Sequence, residues 1–261
     1  MRSGPHGIFS SPTSRATTLA AIIVLCLSVE TPATPARSNV VCRQELSPAR
    51  REQLADKLRI ITGLQELEFG DDGVLREGNA HPAGGSASAR GLVHNAIHGR
   101  KVVVIEDASN RADVAFAQVV PGRWKTPASS RPPVFVVQID FLDFEQLVGD
   151  ERALEAFNVG WGFLHELDHV VNESPDTKSL GEAGECEAHI NQMRRECDLP
   201  ERTDYFSAQL PLAPDNAFRT QLVRLAFEQK EPSANKKKRY WVIWDATIVG
   251  GVKRNQVAAL R

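Results

Sequence analysis

The chain has 261 residues, of which 42% are hydrophobic and 25% are charged, and its formal net charge is -2. This composition is typical of a globular protein with enough apolar residues for one sizeable core. The nearly balanced charge excludes a globally basic nucleic-acid-binding chain, so we predict no nucleic-acid partner.

The N-terminus has the pattern of a secretory signal peptide. Arg2 and Arg15 precede a short apolar run at residues 19–27, and small residues and prolines follow it. A basic region, a short apolar region and a cleavage zone of small residues are the parts of a signal peptide. We therefore predict that residues 1–36 are a signal peptide.

Removal of this segment leaves residues 37–261, which we predict to form a single domain. The apolar run is too short for a comfortable transmembrane helix, so we expect export to the periplasm or the exterior. The alternative is a retained anchor at residues 19–29, which would be the protein's only membrane contact. The sequence gives no indication of the oligomeric state.

Three cysteines remain in the predicted mature chain, Cys42, Cys186 and Cys197. Cys186 and Cys197 are eleven residues apart on one predicted helix, about 16 Å of rise, which is too far for a disulfide. Cys42 could bridge to either of them. The alternative is three buried thiols.

The first predicted helix follows the predicted cleavage zone. Ser47 is suited to cap it and Pro48 to occupy its first turn. The helix should run to about Ile61 and end at Gly63. Residues 70–90 are rich in Gly, Asp, Ala and Ser, which favours a mobile loop.

A short helix at residues 89–98 could carry a second pair of metal ligands. His94 and His98 are four residues apart and would lie on one face. No carboxylate accompanies them in the sequence, and Gly99 follows at once. The alternative is an exposed pair, or a pair that supports other ligands.

Three apolar, β-branched runs then predict strands at residues 101–105, 114–120 and 134–140. Near the C-terminus, residues 218–227 and 239–248 alternate between apolar and polar, which suggests an antiparallel pair. A basic run at residues 236–239 fits a loop flanking the second of these strands better than a phosphate-binding patch.

The central motif is His165-Glu166-Leu167-Asp168-His169, which reads H-E-x-x-H. On a helix, two His four residues apart can reach one metal ion, and the Glu beside the first can act as a base toward water. The flanking apolar residues recur at spacings of three and four, which predicts a mostly buried helix. The alternative is a chance occurrence of the motif.

Gly160 and Gly162 are poor helix formers within this predicted helix. They indicate close approach of another backbone, or else a helix that begins near residue 160. A loop follows the motif at residues 172–176, and a second helix should begin near Leu180.

The H-E-x-x-H motif and the Glu-bearing helix after it resemble the gluzincin metallopeptidases. Residues 191–205 also resemble the tail of bacterial zincin-like domains found in some exported or effector-type proteins. The resemblance covers roughly residues 135–206. It implies an α+β, zincin-like fold, in which a small mixed sheet packs on the H-E-x-x-H helix and a following Glu-bearing helix, with a C-terminal β-hairpin beside them.

The same resemblance implies that zinc (Zn2+) is the cofactor and that His165 and His169 are ligands. In gluzincins a Glu on the next helix completes the set. Three carboxylates are candidates, and helix direction and loop length lead us to expect Glu185, with Glu182 and Glu187 as alternatives. His189 could be a further ligand or a supporting partner.

The implied reaction is hydrolysis of a peptide bond by metal-activated water, with Glu166 as general base. Tyr205 is the candidate donor to the oxyanion, with Arg194 or His94 behind it. Asp168 could orient an imidazole, but its direction on the helix favours the solvent side. The expected partner is a peptide or protein substrate.

Two other functions remain open. One is an exported binding domain that keeps the zincin scaffold without turnover. The other is a zinc amidohydrolase that acts on a non-peptide amide.

Overall fold

The structure is a computed structural model, and it describes residues 38–109, 111, 113–126, 130–177, 183–203, 208–209, 222–231 and 236–245. The predicted signal peptide at residues 1–36, which includes the alternative anchor, lies outside these residues. Among the described residues, no helix has the length and apolar character needed to span a bilayer.

The described residues form a mixed α+β fold, as predicted. In chain order the helices are α1 Pro48–Thr62, α2 Ala87–His98, α3 Phe141–Glu145, α4 Glu151–Ala156, α5 Val159–Val171 and α6 Glu185–Glu196. The strands are β1 Val40–Cys42, β2 Glu68–Phe69, β3 Leu75–Arg76, β4 Val102–Asp107, β5 Ala117–Pro121, β6 Val134–Ile139, β7 Val148–Gly149, β8 Glu201–Arg202, β9 Ala208–Gln209, β10 Leu222–Lys230 and β11 Lys237–Asp245.

The main sheet has the strand order β1-β4-β6-β5. Strands β1, β4 and β6 are parallel, whereas β5 is antiparallel to β6 and occupies one edge. The three predicted apolar strands are therefore present as β4, β5 and β6. Strand β1 escaped prediction because three residues are too few to show a period, and its partner β4 is distant in sequence.

The first two helices begin and end where local chemistry directs. The Ser47 hydroxyl accepts a hydrogen bond from the Arg50 N–H, and Gly63 ends α1 with φ of 75°. Helix α2 starts two residues earlier than predicted, because Ser86 caps it through the Ala89 N–H. The predicted mobile loop at residues 70–90 is wrong in part, since strands β2 and β3 pair as a hairpin and α2 follows.

Helix α5, which carries the H-E-x-x-H motif, lies at the centre of the fold. It contacts α1, α2 and α6 as well as strands β5 and β6. Its apolar residues join the main core and are almost fully buried, as the predicted periodicity requires. The small mixed sheet and the following helix thus both pack on α5.

Of the two interpretations of the helix glycines, the helix start near residue 160 is confirmed, whereas the expected approach of another backbone is wrong. Helix α5 begins at Val159, and the Asn158 side chain caps it through the Gly160 N–H. A Cβ on Gly160 would lie 2.7 Å from the Cβ of Lys57 on α1. Side chains, rather than the expected backbone, make the close approach, because α1 packs directly across the first turn of α5.

A second sheet is built on the long hairpin β10–β11, with strand order β7-β11-β10-β8 and β9 also paired to β10. The predicted C-terminal antiparallel pair is therefore confirmed, from Leu222 opposite Asp245 to Lys230 opposite Lys237. One face of this hairpin forms a second core with α4, and Phe144 contacts both cores. Cys42, Cys186 and Cys197 are all free thiols, so Cys42 bridges to neither partner.

Substitution of Gly160 by Ala should lower the free energy of unfolding by about 1–3 kcal/mol. The new methyl group would overlap the Lys57 and Ile61 side chains, and this overpacking outweighs the gain in helix propensity. Urea denaturation of the parent and the variant measures the difference.

Gly91 provides the matched control, because a Cβ built on it in α2 meets nothing within 4 Å. Gly91→Ala should raise the free energy of unfolding by about 0.5–1 kcal/mol. Equal stabilisation by both substitutions would contradict the close packing of α1 on α5.

Candidate metal centre

The chain turns sharply after the motif helix. Asn172 ends α5, and Glu173 adopts a left-handed conformation with φ of 60°. The Ser174 carbonyl then accepts a 2.6 Å hydrogen bond from Nδ1 of His169. This bond fixes the imidazole so that its other nitrogen, Nε2, is left for a ligand.

The turn returns Asp176 to the motif. Its Oδ1 lies 3.2 Å from Nε2 of His165 and 3.4 Å from Nε2 of His169. The two imidazole rings are nearly perpendicular, with centroids 4.9 Å apart. Two ring nitrogens and one carboxylate oxygen therefore converge on a common point. From the sequence, Asp176 was predicted only to lie in a loop.

Gly184 makes room for this return segment. It precedes α6, and a Cβ there would lie 2.4 Å from the Thr177 nitrogen and 2.9 Å from the Asp176 carbonyl carbon. The Cys186 N–H also donates to the Pro175 carbonyl at 3.4 Å. The segment that carries Asp176 is thus held against the start of α6.

Glu166 lies beside the two histidines and is 8% exposed. The Val119 N–H of edge strand β5 approaches its carboxylate. Burial raises the pKa of Glu166 above its usual value, although the nearby charges of His165 and His169, and the Val119 N–H, lower it in part. A carboxylate with a raised pKa beside convergent donors has the character of a general base.

His169 has a strongly perturbed pKa. Burial lowers it, but the hydrogen bonds to Asp176 and to the Ser174 carbonyl, and the negative charge of Asp176, raise it to about 9. The negative charges around the imidazole therefore favour a positive charge at this position. A bound metal ion would supply that positive charge in place of the proton.

The structure does not bring the expected third ligand, Glu185, into this cluster. Glu185 is the exposed first residue of α6, and it is absent from the donors that converge among the described residues, His165, His169, Asp176 and Cys186. The alternative ligand Glu182 and the candidate oxyanion donor Tyr205 lie outside the described residues. His94 lies on α2, in a separate cluster.

The other alternative ligand, Glu187, is buried in an ion-pair network. One carboxylate oxygen pairs with Arg194, and the other lies 3.4 Å from Arg202 and 3.6 Å from Nδ1 of His165. Glu187 therefore faces the ring nitrogen of His165 opposite to the one that faces Asp176. This position suits a residue that orients His165 better than a ligand.

Arg194, the former candidate for oxyanion support, is instead fully engaged in this network. Its guanidinium donates to the Asn191 side chain at 2.8 Å and to the Ala156 carbonyl at 2.9 Å, and it stacks over Trp161. Burial raises the pKa of Glu187, but the charges of Arg194, Arg202 and His165 outweigh that effect and lower it overall.

Asp168 does not face solvent, so the favoured prediction was wrong, and its carboxylate instead contacts an imidazole. It is fully buried, and it accepts hydrogen bonds from Asn172 at 2.6 Å and from Nδ1 of His189 at 3.1 Å. Helix α6 covers this side of α5 and supplies His189. His189 therefore supports the motif helix and the Ser174 turn, since it also lies 3.3 Å from the Ser174 hydroxyl.

Cys186 is the fourth donor near this point. Its thiol donates to the His165 carbonyl at 3.4 Å. Burial, together with the charges of Asp168, Asp176 and Glu187, raises the pKa of Cys186, which keeps the thiol protonated. Two imidazoles and a carboxylate match the donors that zinc takes in hydrolytic sites, so the residues fit the predicted metal.

Comparisons of the chain with protein families, characterised proteins and solved structures found no match in any of the three. The resemblance to gluzincin metallopeptidases therefore stays a prediction.

Glu187→Gln should lower the free energy of unfolding by about 3 kcal/mol near neutral pH, because it leaves Arg194 buried without its anion. The pKa of Glu187 is lower in the folded chain than its usual 4.5. The ion pair's contribution is therefore complete above that pH and is lost as the pH falls through the folded pKa. Urea denaturation of parent and variant near neutral pH and at successively lower pH below 4.5 measures the change. The difference in stability between the two chains should shrink as the pH falls.

The matched control is Glu185→Gln, which removes the same charge from an exposed position on the same helix. It should change stability by less than about 0.5 kcal/mol. A loss for Glu185→Gln as large as that for Glu187→Gln would refute the role of the buried pair.

Proposed function

We propose that this protein is a zinc-dependent hydrolase, and that peptide bonds are its substrates. One observation carries the proposal: Nε2 of His165, Nε2 of His169 and Oδ1 of Asp176 converge, and the buried carboxylate of Glu166 lies beside them. His165, His169 and Asp176 would hold the metal. Asp176 takes the place expected for Glu185.

The surrounding fold supports the zincin-like part of this proposal. A mixed sheet with an antiparallel edge strand packs on the motif helix, and the next helix covers its other side. This is the arrangement that the gluzincin resemblance implies. An aspartate contributed by the loop after the motif, rather than a glutamate from the next helix, departs from the gluzincin pattern.

Zinc, when bound, supplies a Lewis acid that acidifies water and polarises a carbonyl. The chain's own residues do the rest. Glu166 takes a proton from the attacking water, and its buried position keeps that carboxylate from being solvated. Ser174 and Glu187 orient the two imidazoles, so the ligand geometry is set before substrate arrives.

Edge strand β5 supports a peptide as the substrate. The Asp140 N–H donates to the Phe116 carbonyl, and the Gly122 N–H donates to the Val134 carbonyl. In this antiparallel pair, the backbone N–H and C=O groups of the even-numbered residues of β5 therefore point toward β6. The carbonyls of Ala117 and Val119 point instead away from β6, toward the open edge. The Ala117 N–H donates to the Ala115 carbonyl at 2.8 Å, and the Val119 N–H approaches Glu166. An extended peptide added to this edge would lie alongside the catalytic carboxylate.

A structural zinc site is the second candidate. The Cys186 sulfur lies within 4.8 Å of the other three donor atoms. If Cys186 completed a four-donor set, the metal would have no open position and the protein would bind zinc without turnover. The thiol's bond to the His165 carbonyl and its raised pKa favour the three-donor set.

The proposal includes export, which rests on the signal-peptide pattern of residues 1–36.

Glu166→Gln should retain zinc and lose peptide hydrolysis. The amide cannot take the proton of the attacking water, so kcat/KM should fall by about 10²- to 10⁴-fold. Zinc content by elemental analysis and cleavage of a mixed peptide library give the two readouts. A Glu166→Gln variant as active as the parent would contradict the general-base role of Glu166. A parent that binds zinc but cleaves no peptide would favour the structural zinc site.

Asp176→Ala should lower zinc affinity by at least about tenfold, because it removes a ligand. Zinc competition against a chromogenic chelator measures this affinity. Glu185→Ala is the matched control and should bind zinc like the parent. Cys186→Ser separates the two candidates: retained zinc supports the open three-donor site, and lost zinc supports the closed one.

A further inference from the structure

A second group of convergent donors lies on the exposed face of α2. The described residues contain two such groups, and this one comprises Glu77, His94 and His98. Nδ1 of His94 and Nε2 of His98 each lie 2.9 Å from the same oxygen, Oε1 of Glu77. The two imidazole rings have centroids 4.5 Å apart. The sequence had shown the histidine pair without its carboxylate.

Glu77 is held in place from the opposite side of the hairpin. It follows directly on β3. The residues after it are held by Glu66, because Oε2 of Glu66 accepts hydrogen bonds from the Asn79 N–H at 2.8 Å and from the Ala80 N–H at 3.1 Å. Gly78 has φ of 70° and packs so closely that a Cβ would lie 2.3 Å from that of Glu66. The carboxylate is thus presented to α2 by a fixed turn.

The three side chains are accessible but differ in exposure. The side chains of His94, His98 and Glu77 are 58%, 37% and 23% exposed. One oxygen of the Glu77 carboxylate faces both of the more exposed imidazoles, so a cation from solvent can reach all three side chains.

We propose that Glu77, His94 and His98 form a second metal site, which binds a divalent transition metal such as zinc. Two imidazoles one helical turn apart and one carboxylate are the donors that such ions prefer. A cleft of about 350 Å³ adjoins the cluster and is lined in part by Glu77, Arg90 and His94. Water in this cleft can complete the coordination.

The site has a structural consequence. A metal ion bound there would link the turn after β3 to the C-terminal end of α2. The chain between residues 77 and 98 would then form a loop whose two ends are joined through the metal. An ion that binds only the folded chain raises its stability by mass action. This site shares no residue with the motif cluster, so it can bind metal independently of hydrolysis.

The test uses the full chain with His165→Ala and His169→Ala, which removes the motif ligands. Zinc is titrated against a chromogenic chelator, and the melting temperature is measured with and without zinc. We expect one zinc per chain and a rise in melting temperature of about 5 °C at saturating zinc. Adding His94→Ala and His98→Ala should abolish both effects.

Two further variants sharpen the result. Glu77→Gln retains hydrogen-bonding capacity but loses the charge, so it should weaken zinc binding by at least about tenfold. If the three side chains only hydrogen-bond to one another and bind no metal, this substitution would leave zinc binding unchanged. His81→Ala removes an exposed histidine from the same loop and should bind zinc unchanged.

A second comparison tests the proposal even if the chain with His165→Ala and His169→Ala does not fold. The parent should bind one more zinc than a chain with only His94→Ala and His98→Ala, whether or not the motif site takes metal. Equal zinc binding by these two chains, or no zinc in the first background when it is folded, would overturn the proposal.

Discussion

The site depends on a constraint set by the position of α5. This helix is packed by other elements on several sides, yet it carries four polar residues in the motif. A polar group taken out of water must find a partner. The partners come from three parts of the chain. Val119 lies on the sheet edge, Ser174 and Asp176 lie in the return turn, and Glu187 and His189 lie on α6.

These partners explain why the buried charges are present at all. A buried pair such as Glu187 and Arg194 is weak evidence for stability, because desolvation offsets most of its attraction. Its geometry is nevertheless specific, since Arg194 also stacks over Trp161 and Phe227 and so joins α5, α6 and the C-terminal hairpin. The second core thereby supports the carboxylate that faces His165.

The two donor clusters share one principle of construction. In each, a helix supplies two histidines four residues apart, and a sharp turn with positive φ supplies the carboxylate, Asp176 after Glu173 and Glu77 before Gly78. They differ in setting. The motif cluster has the buried carboxylate of Glu166 beside it, whereas the α2 cluster is exposed and no further buried carboxylate is among its three donors. We therefore propose stabilisation, rather than hydrolysis, as the role of the α2 cluster.

The sequence by itself determined the local features: the caps and bounds of α1, the three main apolar strands, the C-terminal pair, the burial of α5 and the pairing of His165 with His169. All of these follow from period, turn chemistry or short spacing. Only the tertiary structure decided which carboxylates meet those histidines. Asp176 and Glu77 lie in turns, where backbone conformation sets the direction of a side chain and sequence periodicity carries no information about it. Helical direction could rank Glu185 and Glu187, but exposure and ion pairing depend on neighbours such as Arg194 and Arg202, which only the folded chain brings together.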